Sequence, residues 1–196
     1  MEPFDLGPAT ATLRRLVLGT RDDQLAGPTP CPDYRVGDLV HHVGGLTLAF
    51  TAAAHKRELP GGAQGGVGDA TQLETGWRLL IARDLEMLAE AWRSPAAYDG
   101  TTMAGPVEMP GEVAALVTLN EVVVHGWDLA VATGQQYAAD PADLARLIEF
   151  ATTWPAEGSP PAFGPVVDVH DDAPDLDRLL GLNGRRADWS AGVPTV

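Results

Sequence analysis

One segment limits what this chain can fold into more than any other. From Gly111 to Thr133 it reads GEVAALVTLNEVVVHGWDLAVAT. Apolar residues fall on every side of the helix such a run forms, so the rest of the protein must largely enclose it. Past Glu112, its only ionisable residues are Glu121, His125 and Asp128. At about 100° per residue they sit near 0°, 40° and −20°, in one narrow stripe. A carboxylate buried without a partner is strongly destabilising, or neutralises through a shifted pKa. Three titratable groups aligned inside an apolar helix need a cation.

Glu121 and His125 are four residues apart and can aim an oxygen and a nitrogen at one point. A helix supplies two ligands to a single metal ion in this way. The same residues could instead form a buried Glu–His hydrogen-bonded pair, or be satisfied by an arginine such as Arg78 or Arg83. A third ligand would come from another helix, and the segment from about Val36 to Glu58 offers His41, His42 and His55. Its apolar face, Val36, Leu39, Val43, Leu46 and Phe50, lies within about 60° of Leu39. His42 flanks that face at about −60°, while His41 and His55 fall near 200° and 160°. Geometry selects His42 and places the other two in solvent.

The remaining pattern describes a helical bundle. An amphipathic segment covers roughly Phe4 to Thr20, with Leu13, Val17 and Leu18 on its apolar side. PTPCP, Pro28 to Pro32, is a rigid connector that cannot be helical inside. GGAQGGVG, Gly61 to Gly68, is a flexible loop with the character of a lid, without the strand and GK[ST] of a phosphate loop. A third helix is expected over about Thr71 to Arg93, and Thr101–Met103 with Val107–Met109 can pair as a tiny β-hairpin. The polar-striped helix should stop at Gly134. Asp140-Pro141 then opens a short fifth helix to about Thr153. The tail is rich in Pro and Gly, with one helical piece near Asp175 to Leu180. The fold class is therefore all-α: a four-helix bundle over residues 1–153, with an irregular extension, 154–196, packed on it.

Composition narrows the function classes. The chain has 196 residues, 45% hydrophobic and 20% charged, and a formal net charge of −14. One lysine, Lys56, and scattered arginines give no basic patch for a nucleic-acid backbone. No signal peptide begins the sequence and no uncharged apolar run approaches a membrane span, so the expected location is the cytoplasm, without nucleic-acid or membrane partners. The single cysteine, Cys31, excludes an internal disulfide and any CxxC metal or redox pair. Among the surrounding prolines it is a structural residue rather than a nucleophile. Trp127 is a packing residue. Arg185 and Arg186 are expected in a solvated turn.

Three stretches carry a family resemblance: PTPCPDYRVGDLVHHVGG (Pro28–Gly45), NEVVVHGWDLAVATGQ (Asn120–Gln135) and FGPVVDVHDDAPDLDRLLGLNGR (Phe163–Arg185). They resemble the DinB-like superfamily, more closely its branch of mycothiol-dependent maleylpyruvate isomerases and actinobacterial metal-binding proteins. The resemblance implies a four-helix bundle holding a divalent metal, zinc or nickel, through His42, Glu121 and His125. It also implies mycothiol or a similar low-molecular-weight thiol as cofactor. Arg35 stands where the family commonly has Thr, so the usual capping box with Asp38 is expected to be missing. The isomerase is expected to carry a longer second domain after the bundle.

Two His and one Glu leave a coordination position open, as catalytic rather than structural sites do. Asp128 would orient a ligand or hold an arginine, or else make an ordinary buried hydrogen bond. The activity implied is a metal- and thiol-dependent transferase or isomerase acting on a small electrophile, as monomer or homodimer. The alternatives are a non-catalytic metal- or ligand-binding protein for sensing or stress protection, and a metal-assisted hydrolase.

Overall fold

In the computed structural model, residues 1–58, 67–104, 107–158 and 164–192 are described. They contain six α-helices: α1 (Gly7–Gly19), α2 (Val36–Ala54), α3 (Trp77–Ala91), α4 (Gly111–Thr133), α5 (Pro141–Ala151) and α6 (Asp175–Leu182). β1 (Thr101–Ala104) and β2 (Val107–Pro110) pair antiparallel between α3 and α4, with Thr102 opposite Met109. Most of the Gly61–Gly68 loop, including any lid, lies outside the described residues.

α1 and α2 each pack against both α3 and α4, which closes the four-helix bundle. Leu13, Leu16 and Val17 of α1 meet Leu39 and Val43 of α2, Leu85 and Leu88 of α3, and Leu119 of α4 in one core. Leu18 is 36% exposed rather than part of that face, because it lies one residue beyond the narrow strip that α1 turns inward. α5 and the hairpin cover further parts of α4. By length and mean hydropathy α4 could cross a membrane, contrary to the expectation from uncharged runs alone. Yet 89% of its most apolar window is buried within the protein.

Local chemistry explains the boundaries. α2 starts at Val36 even though Arg35 cannot act as a side-chain acceptor, because half of the capping box survives: the Asp38 carboxylate accepts the Arg35 backbone N–H at 3.0 Å. α2 ends at Ala54, short of Glu58, with Lys56 turned to a φ of +54°. α3 starts at Trp77, not near Thr71, because Gly76 takes a φ of +80° that breaks the helical path. Before it, Ala70–Gln72 form a separate 3₁₀ turn. Asp140 caps α5 by accepting the Ala142 N–H at 2.8 Å, ahead of Pro141.

Gly134 ends α4 with a φ of +69°, and nothing stands where its Cβ would be. A side chain there is penalised by backbone conformation alone. Gly134→Ala is expected to lower stability by about 1 kcal/mol in urea unfolding, with no change in the metal behaviour described below.

Candidate metal centre

α2 and α4 each turn most of their surface into the bundle, and the polar residues they carry meet where the two helices face one another. His42 Nε2 lies 3.9 Å from Glu121 Oε2, and His125 Nε2 lies 3.0 Å from the same oxygen. The two imidazole rings stand edge to face with centroids 5.0 Å apart. One ligand atom from each of the three residues falls within 4.8 Å of the others. A cation bound at zinc-type distances needs donors about 3.3–3.6 Å apart. The observed separations of 3.0 and 3.9 Å bracket that spacing, so side-chain adjustments of a few tenths of an ångström complete the fit. Nitrogen–nitrogen–oxygen is also the donor set expected for zinc or nickel.

The far side of His125 is held just as closely. Its Nδ1 lies 3.0 Å from Asp128 Oδ2, which leaves Nε2 to face Glu121 and His42. Asp128 is fully buried, and the Arg185 guanidinium reaches it from the tail at 3.1 Å. Arg185 also donates to the Asn183 carbonyl at 2.8 Å. Five residues before His125, Asn120 donates to the Asn183 side chain at 2.8 Å, and both asparagines are fully buried. The tail is thus fastened to α4 on both sides of Glu121. Just before α2, the Tyr34 hydroxyl lies 3.4 Å from His42 Nδ1, supporting the ring from behind.

The electrostatics follow from this packing. Burial opposes the charge on Glu121, but hydrogen bonds from His125 and His42 outweigh it and hold the carboxyl down to about 2. Burial likewise opposes charge on His125, and the Asp128 and Glu121 carboxylates overcome it, raising the imidazole to about 9. Asp128 is disfavoured by burial and held below the usual carboxylate range chiefly by Arg185. Without metal, the stripe is therefore an imidazolium between two carboxylates.

A pH dependence follows for the metal-free protein. Because His125 is raised from 6.5 to about 9, its contribution to stability is complete below pH 6.5 and is lost as pH rises through 9. Because Glu121 is lowered from 4.5 to about 2, its contribution is complete above pH 4.5 and is lost as pH falls through 2. Thermal melts in the presence of a chelator should therefore lose midpoint between pH 7 and 9. A flat profile there would remove the buried imidazolium from this account.

The structure sorts the other candidates. His55 is exposed at the end of α2. His41 is only half-exposed, because the chain returning at Asp69 donates its N–H to His41 Nδ1 at 3.1 Å. Arg78 and Arg83 do not reach the stripe: Arg78 binds Asp22 and the Thr20 carbonyl, and Arg83 binds Asp84. Arg185 takes that role, and it is 6% exposed rather than lying in a solvated turn, because Asp128 and Asn183 draw it inward. Arg186 is exposed and pairs with Asp188. Trp127 is buried. Neither Arg185 nor Tyr34 could be placed at the site by helical periodicity, since both sit on irregular segments.

Cys31 is buried, and burial pushes its thiol up to about 11. It should alkylate with iodoacetamide at pH 8 at least about a hundredfold more slowly than in urea, judged by its small thiolate fraction. Equal rates would make the cysteine accessible and reactive.

Residues 6–130 match the sequence family described as the mycothiol maleylpyruvate isomerase N-terminal domain. The chain belongs to that family. Two uncharacterized proteins from separate strains of Mycobacterium tuberculosis are each 33% identical to it over 130 residues. The match covers 64% of this chain and 64% of the length of each of these curated relatives. Among solved structures, the crystal structure of the mycothiol-dependent maleylpyruvate isomerase superposes with a TM-score of 0.65 at 17% identity. A histidine-to-alanine mutant of that isomerase gives 0.65 at 16% identity. The likeness is one of fold. It covers 95% of this chain and 90% of the isomerase chain. With 95% of this chain covered, that likeness includes most of the region after the bundle.

Proposed function

We propose that this family member is a metal-dependent transferase or isomerase that uses a low-molecular-weight thiol, mycothiol or a close counterpart, on small electrophilic molecules. The observation that carries the reading is the convergence of His42, Glu121 and His125 from two helices onto one point. Three protein donors leave room for an exogenous ligand, as in catalytic rather than structural sites. A divalent ion held there, zinc or nickel, would supply Lewis acidity and ionise a coordinated thiol near neutral pH. His42 and His125 each turn Nε2 toward Glu121 Oε2 at that point. Asp128 accepts the proton on His125 Nδ1 and so fixes the tautomer that leaves Nε2 able to coordinate. Glu121 brings one negative charge and keeps a divalent centre cationic. With Cys31 buried and its thiol raised, the reactive sulfur comes from outside the protein.

On this reading the protein works in the cytoplasm on small molecules, as monomer or homodimer, without nucleic acid or membrane. The test is elemental analysis of gently purified protein, followed by a conjugation assay with mycothiol, with glutathione and without thiol. About one metal per chain and turnover that requires the thiol support the proposal. Turnover that ignores the thiol replaces it with a metal-assisted hydrolase. Bound metal and tight ligand binding without turnover replace it with a binding protein.

A further inference from the structure

Where the chain returns to α2, three consecutive residues lie along the first turns of that helix. Gly68 packs against the Asp38 carbonyl and the Tyr34 ring; a Cβ on it would overlap the first and stand 3.1 Å from Cε1 of the second. The Asp69 N–H donates to His41 Nδ1 at 3.1 Å, and the Ala70 N–H donates to Asp38 Oδ1 at 2.8 Å. Gly37 permits the last approach, since a Cβ there would meet Ala70 Cβ at 2.7 Å. Packing this close, largely against backbone, leaves the segment no room to shift without loss of contact.

Tyr34 joins this segment to a candidate ligand. Its backbone is fixed from one side: its N–H donates to the Cys31 carbonyl at 3.1 Å, and its carbonyl accepts the Thr29 hydroxyl at 2.7 Å. Its ring lies 5.0 Å from that of His42, centroid to centroid, and its hydroxyl stands 3.4 Å from His42 Nδ1. Burial pushes the hydroxyl up, against an opposing pull from the Gly68 backbone, so the group stays neutral. A histidine that coordinates through Nε2 carries its proton on Nδ1, and the Tyr34 oxygen is placed to accept that N–H. His125 has a carboxylate in the corresponding position at 3.0 Å. A neutral oxygen at 3.4 Å holds a ring less firmly, which makes the placement of the tyrosine matter more.

We infer that Tyr34 is a positioning residue for His42, and that Gly68, by its fit against the tyrosine ring and Asp38, sets where Tyr34 stands. The inference rests on the metal reading above and adds to it a residue that is not itself a ligand. The bond from Asp69 to His41 is dispensable for this, because the contacts of Gly68 and Ala70 on either side hold the segment.

Cobalt titration of the metal-free protein, followed by the absorption bands of the bound ion against a competing chelator, tests this without turnover. Tyr34→Phe keeps the ring and removes only the hydroxyl. It should weaken cobalt binding about tenfold while the metal-free melting midpoint stays within about 2 °C of wild type. Gly68→Ala should weaken cobalt binding by about three- to tenfold in the wild type and no further in Tyr34→Phe, because both changes act on one hydrogen bond. A general loss of packing would instead lower affinity equally in the two backgrounds. Tyr34→Phe protein that binds cobalt as tightly as wild type overturns the inference and leaves the metal reading intact, and so does a Gly68→Ala loss that is the same in both backgrounds. A wild type that takes up no cobalt overturns both. If Gly68→Ala fails to fold, the Tyr34→Phe affinity and midpoint decide alone.

Discussion

Alanine at His125 should abolish stoichiometric metal uptake, and alanine at His42 should do the same. Each change leaves two protein donors where three converge, so affinity should fall by at least about a hundredfold. The expectation is sharper than a loss of activity, because binding also has a thermodynamic readout. A metal present at about a thousand times its dissociation constant stabilises the folded state by about 4 kcal/mol. For a chain of this length, that raises the melting midpoint by roughly 8–16 °C. Wild-type protein should show the rise on adding zinc or nickel and lose it with chelator, whereas neither variant should respond. His55→Ala should respond fully, since His55 is exposed at the far end of α2. His41→Ala should bind metal as well, although it loses the hydrogen bond to Asp69. A wild type whose midpoint ignores both metals, or a His125→Ala protein that follows the wild type, would contradict the assignment.

The second large effect belongs to the buried pair behind the site. Arg185→Met removes one of the two cations beside a fully buried carboxylate and should cost about 3 kcal/mol in urea unfolding. Asp128→Leu leaves an arginine with 6% exposure facing an apolar side chain and should destabilise comparably. The double variant should be much less destabilised than the sum, because an apolar pair of similar volume replaces both charges at once. The metal response separates the two residues further. Loss of Asp128 frees the His125 ring to turn and should weaken metal binding by about 10–100-fold even in the double variant. Additive losses in the cycle would mean that Arg185 and Asp128 act independently.

How much of this could be read from the residues depends on whether the controlling interaction is local. The stripe on α4 is visible because Glu121, His125 and Asp128 share one regular helix, where spacing converts directly into direction. His42 is legible for the same reason. The single side of α2 that lacks polar residues can only face inward, and His42 borders it. The start of α3 was not legible, because the left-handed turn at Gly76 depends on how the chain returns from the preceding loop. Arg185 was missed on different grounds. It lies 57 residues beyond Asp128, on the irregular segment after α6, and nothing near it in sequence indicates the pairing.

The fastening of the tail to α4 has a bearing on where this molecule can be divided. Sequence similarity to the family stops at residue 130, which invites a shorter fragment ending after α4. Such a fragment would leave the Asn120 amide and the Asp128 carboxylate without their tail partners, inside a helix with scarcely any outward side. Recognisable ancestry and cooperative unit therefore have different edges here. Asn183 and Arg185, just past α6, are what allows the most apolar helix to carry charge.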